Sequence, residues 1–77
     1  MTLQSCKAGD EKIVEMISLT PALSRRLHML GLIKGTGIKV LRKKRCGAMI
    51  ICVRGVRYAI GSATADGIFV KDVADNE

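Results

Sequence analysis

A chain of 77 residues with 48% hydrophobic content has enough apolar surface for one domain with one small core, which excludes intrinsic disorder. The formal net charge of +6 favours acidic or anionic partners, and the lack of an apolar run of about 18 residues excludes a membrane-spanning helix. Aromatic residues make up only 3%, so aliphatic side chains must fill the core, and the stacking platforms typical of single-stranded nucleic acid binders are nearly absent.

The chain begins with a short lead-in and a strand. We expect Leu3 to reach into the core and residues 8–10 to form a turn. Residues 11–17 predict the first strand, with the β-branched residues Ile13 and Val14 at its centre. No secretory signal pattern precedes this strand, so we expect a cytoplasmic protein.

Residues 20–35 predict one short helix with a defined start and stop. Thr20 is a suitable N-cap, and Pro21 suits the first helical position. Gly31 can take a left-handed conformation after the last turn, so that Leu32 packs back on the helix. The apolar residues of the helix recur at i, i+4 and i+7 and form one stripe: Leu23, Leu27 and Leu30. A helix of about ten residues is unstable alone and must lie on a larger body.

The rest of the sequence predicts four more strands joined mostly by tight turns. These strands are residues 38–43, 48–53, 56–60 and 68–72. Residues 61–67 predict a single helical turn around Ala65, and the tail at 73–77 is expected to fray. Five short strands with one inserted helix, in one domain spanning residues 1–77, predict a mainly β protein. Its predicted architecture is a small, partly open barrel rather than a two-sheet sandwich.

The sequence contains no recognisable catalytic or metal-binding pattern. His28, the single histidine, falls in the last turn of the helix, where a positive charge is favourable. Three cysteines without a C-x-x-C pair predict no zinc ribbon and no dithiol centre, and no phosphate-binding loop is present. We therefore expect no enzyme activity, no metal site and no cofactor. Cys46 keeps an alternative open, because the neighbouring Arg45 would favour its thiolate for redox or metal sensing.

The positive charge is concentrated in the middle of the chain. No acidic residue occurs between Glu15 and Asp66, and the densest basic run is residues 42–45. Two interpretations of that run stay open. It is either a solvated hairpin whose charge protects a sheet edge, or a surface that binds phosphate or carboxylate groups.

The sequence RLHMLGLIKG at residues 26–35 resembles the FeoA family of ferrous iron transport accessory proteins. The resemblance extends from Leu3 and Gly9 to the alanine and the isoleucine-x-valine pattern of Ala65, Ile68 and Val70. It implies an SH3-like barrel with an inserted helix, acting in the cytosol on the GTP-binding membrane permease that imports ferrous iron, without catalysis. Metal-dependent repressors carry a similar domain, but no DNA-binding domain precedes this one, so we do not expect a complete repressor.

The resemblance also suggests roles for individual residues. Four motif residues are expected to hold the helix on the barrel: Leu27, Leu30, Gly31 and Gly35. Exposed helix residues are the first candidates for partner binding: Arg25, Arg26, His28 and Met29. The basic run is the second candidate: Arg42, Lys43, Lys44 and Arg45. An anionic membrane surface at the inner face is a further possible partner. The alternative function is a small RNA-binding barrel that uses the acid-free segment 16–65, which the shortage of aromatic residues disfavours.

Overall fold

The structure is a computed structural model that describes residues 1–73 and contains five strands in that range. The strands are β1 (Glu11–Ile17), β2 (Gly37–Lys43), β3 (Met49–Val53), β4 (Val56–Ile60) and β5 (Ile68–Asp72). Helix α1 (Pro21–Met29) follows β1, helix α2 (Ser62–Asp66) joins β4 to β5, and a 3-10 turn (Leu3–Ser5) precedes β1. Each strand lies within one residue of its predicted range, and α2 is the predicted helical turn around Ala65.

The strands form one antiparallel sheet in the order β4-β3-β2-β1-β5. The register shifts once in β1, between Val14 and Met16, and once in β2, between Val40 and Arg42. Such irregularities strengthen the twist that curls a small sheet around its core. Strands β4 and β5 are the two outer strands, and within residues 1–73 they do not pair with each other. The predicted mainly β, partly open architecture is therefore confirmed.

The core lies on one face of this sheet, because buried apolar residues alternate with exposed or partly exposed residues along the strands. In β3, Met49, Ile51 and Val53 are buried, and in β2 Ile38 and Val40 are buried. Residues from outside the strands complete the core: Leu3, Cys6, Leu27, Leu32 and Ala65. The prediction that the lead-in inserts a leucine into the core is confirmed, since Leu3 has no solvent exposure.

The outer edge of β5 is covered by the start of the chain. Thr2 forms an isolated bridge with Phe69, and the carbonyl oxygen of Met1 accepts a hydrogen bond of 2.9 Å from the amide of Val70. On the other side of β5, the Lys12 ammonium donates to the Asp72 carboxylate. That hydrogen bond lowers the pKa of Asp72 and raises the pKa of Lys12. Strand β5 is thus fixed on both sides.

Only the first residue of the predicted fraying tail lies within the described part of the chain. Val73 follows β5 outside any regular element and is exposed. Residues 74–77 lie outside the described residues.

Candidate functional site

The two ends of α1 are built as their sequence predicts. The Thr20 hydroxyl oxygen accepts from the amide of Leu23 at 3.3 Å and so caps the first turn. At the other end Gly31 has a φ of 97°, which side chains with a Cβ rarely adopt. The amide of Leu32 then donates to the carbonyl of Leu27 at 3.0 Å, the long hydrogen bond of a Schellman motif. The chain leaves the helix there and buries Leu32.

Leu30 does not belong to the buried stripe, and that part of the prediction is wrong. Its side chain is 39% exposed, whereas Leu27 is buried and Leu23 is half-buried. The physical reason is the position of Leu30 at the C-cap, where the turn tightens and its amide reaches the carbonyl of Leu27 as well as that of Arg26. After the left-handed glycine, Leu32 fills the core position in its place.

The loop after α1 is anchored to β1. The amide of Gly35 donates to the carbonyl of Val14 at 2.8 Å, and the amide of Val14 donates to the carbonyl of Thr36 at 2.9 Å. The buried Thr36 hydroxyl donates to the carbonyl of Gly31 at 3.0 Å. These bonds fix the position of the helix end relative to the sheet.

The four helix residues predicted to bind a partner all lie on the surface. Arg25, Arg26, His28 and Met29 are exposed, and Met29 is the extreme case at 81%. An exposed methionine beside arginines combines a flexible apolar side chain with positive charge, a combination that suits a protein interface. Whether these residues bind a partner stays a prediction.

The end of α1 lies against the turn between β3 and β4. The Tyr58 hydroxyl donates to the carbonyl of Leu30 at 3.4 Å, and a Cβ placed on Gly31 would lie 3.7 Å from Cδ of Arg54. Exposed apolar side chains lie on both segments that meet here: Met29, Leu30 and Ile33 at the end of the helix, and Val56 on the same face of β4 as Tyr58. We name these residues, together with the exposed arginines of the β3–β4 hairpin, the α1–β4 surface. It consists of Met29, Leu30, Ile33, Arg54, Val56 and, on the opposite face of β4, Arg57.

Ile33, Arg54, Val56 and Arg57 are members of this surface that the sequence did not single out. The sequence marked Arg54-Gly55 as a turn, but it carried no signal that this turn packs beside the helix. That proximity arises because β4 is an outer strand whose Tyr58 reaches over to the helix end. Only the tertiary fold brings the apolar residues of the two segments together.

The basic run at residues 42–45 has a different setting. The Lys43 ammonium donates to the carbonyls of Gln4 and Cys6, the latter at 3.2 Å, so it holds the start of the chain. Arg42, Lys44 and Arg45 are exposed around it. The four cations therefore do not form one free surface. The structure does not bring this hairpin together with the helix residues, since the β2–β3 and β3–β4 turns flank opposite ends of β3.

The remaining side chains offer little coordination chemistry. Among residues 1–73, no three His, Cys, Asp or Glu side chains lie together as metal ligands would. Cys46 is exposed, while Cys6 is buried, and burial raises the pKa of the Cys6 thiol. A shallow pocket of about 210 Å³ between β1 and β2 is lined by Lys12, Lys39 and Cys52 among others, and it is smaller than typical ligand sites.

No described helix has the length and apolar character needed to cross a bilayer. The longest, α1, has nine residues.

Comparison with known proteins places this geometry in a family. The model of the FeoA domain matches residues 1–72. A relative from Methanocaldococcus jannaschii, named "Putative Fe(2+) transport protein A", is 36% identical over 70 residues, which cover 91% of this chain and 84% of the relative.

Solved structures agree with this assignment. The solution structure of the FeoA protein from Chlorobium tepidum superposes with a TM-score of 0.89 at 36% identity, covering 100% of this chain and 74% of that chain. The crystal structure of Stenotrophomonas maltophilia FeoA complexed with zinc, described as an SH3 domain protein, gives a TM-score of 0.81 at 26% identity, covering 92% and 89%. The SH3-like fold predicted from the sequence is thereby confirmed. The chain belongs to the FeoA domain family of ferrous iron transport accessory proteins.

Proposed function

We propose that this chain is a non-enzymatic cytoplasmic accessory protein that docks on a GTP-binding ferrous iron permease and modulates ferrous iron uptake. The observation that supports docking is the α1–β4 surface, where four apolar side chains and two arginines are exposed on two segments that contact each other. Exposed apolar side chains that cluster, rather than lie scattered, are typical of protein interaction sites. The family provides the transport context.

The charge distribution favours an acidic partner. The surface lies in the interval between Glu15 and Asp66, which contains no acidic residue. Arg25 and Arg26 on α1 extend the positive rim next to Met29. Such a field accelerates encounter with a negatively charged domain, while the apolar centre determines how long the complex lasts.

Affinity capture of the permease from native membranes, with and without GTP, tests this proposal. We expect the wild-type chain to retain the permease and Met29→Asp to lose most of it. Met16→Asp is the matched control, because Met16 is also an exposed methionine, at 54%, but lies on β1 outside the α1–β4 surface. Equal capture by both variants would show that the surface is not the docking site, and no capture by the wild type would refute docking.

The acid-free interval also supports a second candidate, a small RNA-binding barrel. Phosphate contacts need only cations, and their affinity falls steeply with salt. A fluorescence titration with RNA of mixed sequence at two salt concentrations distinguishes the candidates. We expect weak binding that disappears at moderate salt, and submicromolar binding there would favour the RNA candidate.

A further inference from the structure

We infer that the outer edge of β4 accepts an extended segment of the protein partner as an additional strand, and that this segment alternates apolar and acidic side chains. The inference rests on the proposed docking and specifies which backbone groups receive the partner. Four observations support it: the orientation of the backbone groups, the neighbouring apolar side chains, the charge along the edge, and the way the opposite edge is covered.

The geometry of the β3–β4 turn shows which backbone groups face outward. Val53 pairs with Val56 across a two-residue turn whose residues, Arg54 and Gly55, both have positive φ, 53° and 82°. In such a hairpin the flanking pair exchanges both backbone hydrogen bonds, and the pairs along the ladder then alternate. Arg57 and Ala59 therefore direct their N–H and C=O groups away from β3. Within residues 1–73, no other backbone or side chain hydrogen bonds to these groups.

The side chains along this edge separate into two kinds. Val56 and Tyr58 lie on the face of β4 that meets the end of α1, as the hydrogen bond from Tyr58 to Leu30 shows. Arg57 lies on the opposite face and is exposed. A strand added beside β4 would place alternate residues next to Val56, Tyr58 and the exposed Leu30, and the residues between them next to Arg57. Apolar side chains fit the first set of positions, and a carboxylate fits the second.

The positive charge of the edge argues against a second copy of this chain as the occupant. Pairing two β4 strands across a two-fold axis would bring Arg54 and Arg57 of both copies along one edge, and the segment 16–65 contains no acidic residue to neutralise them. Charged residues on an outer strand are a common protection against such self-association. An acidic segment of another protein removes this repulsion.

The backbone conformation of Arg54 strengthens the argument from charge. It is the one residue other than glycine with a positive φ among residues 1–73, in a turn position that asparagine or glycine would occupy with less strain. Strained residues of this kind concentrate at functional sites. Here the strained residue carries the positive charge to the end of the open edge.

The opposite edge shows that the fold does cover an outer strand where no partner is needed. Thr2 and Met1 pair with the outer side of β5. The described part of the chain provides no such cover for β4.

A proline at position 59 tests strand addition directly. Ala59→Pro removes an N–H that faces outward, so the β3–β4 hydrogen bonds stay, and proline is tolerated on outer strands in that orientation. Ala59→Val is the matched control, because it keeps the N–H and adds bulk on the same face. Circular dichroism and thermal melting of both variants establish that they are folded.

The first probe is the permease captured from membranes. We expect the wild type and Ala59→Val to bind it equally. Ala59→Pro should bind about tenfold more weakly, because it cannot donate its backbone hydrogen bond to the added strand. Equal binding by the proline and valine variants overturns strand addition and leaves docking intact. Failure of the wild type to capture the permease refutes the proposed function instead, and the second probe then decides on strand addition alone.

The second probe is a short synthetic peptide in which valine and glutamate alternate. We expect it to shift and protect the amide signals of Arg57 and Ala59 in NMR spectra, with an affinity that falls as salt increases. The same peptide with lysine for glutamate should not bind. Arg57→Glu should reverse this preference, which keeps the test valid if the proline variant does not fold. Peptide signals confined to α1 or to residues 42–45, or a dimer that forms through β4, overturn the inference.

Discussion

The two outer strands of this sheet differ in how their outer sides are covered. Strand β5 is paired with the start of the chain, linked to β1 through Lys12 and Asp72, and adjoined by α2. Strand β4 is paired only with β3 among the described residues, and exposed apolar side chains and arginines surround its free side. A domain this small buries little surface, so leaving one edge uncovered has a cost in stability. The difference indicates that the β5 edge serves the fold and the β4 edge serves binding.

The basic residues also fall into two groups, one that serves the fold and one that is left exposed. At the end of β2, Lys43 binds the carbonyls of Gln4 and Cys6, so its charge holds the start of the chain, which covers β5. In the β3–β4 hairpin, Arg54 is exposed beside the helix end and Arg57 is exposed on the opposite face of β4. The density of cations in the sequence therefore does not identify the binding surface. The contacts of each cation in the folded protein identify it instead.

A large effect on stability is expected at Gly47, in the β2–β3 turn. A Cβ there would lie 2.7 Å from Nε2 of Gln4 and 2.7 Å from Cβ of Ser62, and its φ is 95°. Gly47→Ala should lower the free energy of unfolding by about 2–4 kcal/mol, through strain and overpacking together. Chemical denaturation measures it. Gly31 has a similar φ, but a Cβ there would meet no atom closer than 3.7 Å. A loss at Gly47→Ala below that of Gly31→Ala would therefore contradict the close packing of the β2–β3 turn against Gln4 and Ser62.

Gly31 gives the next largest effect. Its φ of 97° is required for the chain to leave α1 and bury Leu32. Gly31→Val should cost about 1–3 kcal/mol, whereas Gly31→Asn should cost much less, because asparagine tolerates the left-handed conformation. If the two variants melted at the same temperature, the assignment of Gly31 as the left-handed helix cap would be wrong.

Lys43 should contribute more to stability than its neighbour in sequence. Lys43→Met removes two hydrogen bonds to carbonyl groups and should cost about 0.5–1.5 kcal/mol. Lys44→Met, whose ammonium has no hydrogen bond to described residues, should change stability by less than about 0.5 kcal/mol. Equal effects of the two substitutions would show that Lys43 does not hold the start of the chain.

The smallest effect concerns pH and the link between β1 and β5. The hydrogen bond from Lys12 lowers the pKa of Asp72 in the folded protein, so its stabilisation is present above the unfolded pKa and is lost as the pH falls through the folded value. The stability difference between the wild type and Asp72→Asn should be constant near neutral pH and vanish in acid. Denaturation from pH 7 to pH 2 measures this difference, and an increase towards acid would contradict the assignment.

Much of the fold could be predicted because local signals and the global structure agree. Thr20, Pro21 and Gly31 define α1, and alternating apolar residues define the strands within one residue. The position of Leu30 could not be predicted, because helical periodicity does not report where the last turn tightens. The α1–β4 surface could not be predicted either, since the end of α1 and strand β4 are far apart in sequence and are joined by the contact of Tyr58 with Leu30.

The most direct test compares variants of the β3–β4 hairpin and of the β2–β3 hairpin that have equal net charge. Arg54→Gln with Arg57→Gln, and Arg42→Gln with Lys44→Gln, each remove two positive charges from exposed positions. Dissociation and association rates for the purified permease should be measured at low and moderate salt. We expect the first pair of substitutions to lower affinity about tenfold or more, chiefly through faster dissociation, because an arginine that faces a carboxylate of the added strand is paired inside the interface. The second pair should slow association only at low salt. Faster dissociation with the second pair and unchanged dissociation with the first would contradict this expectation.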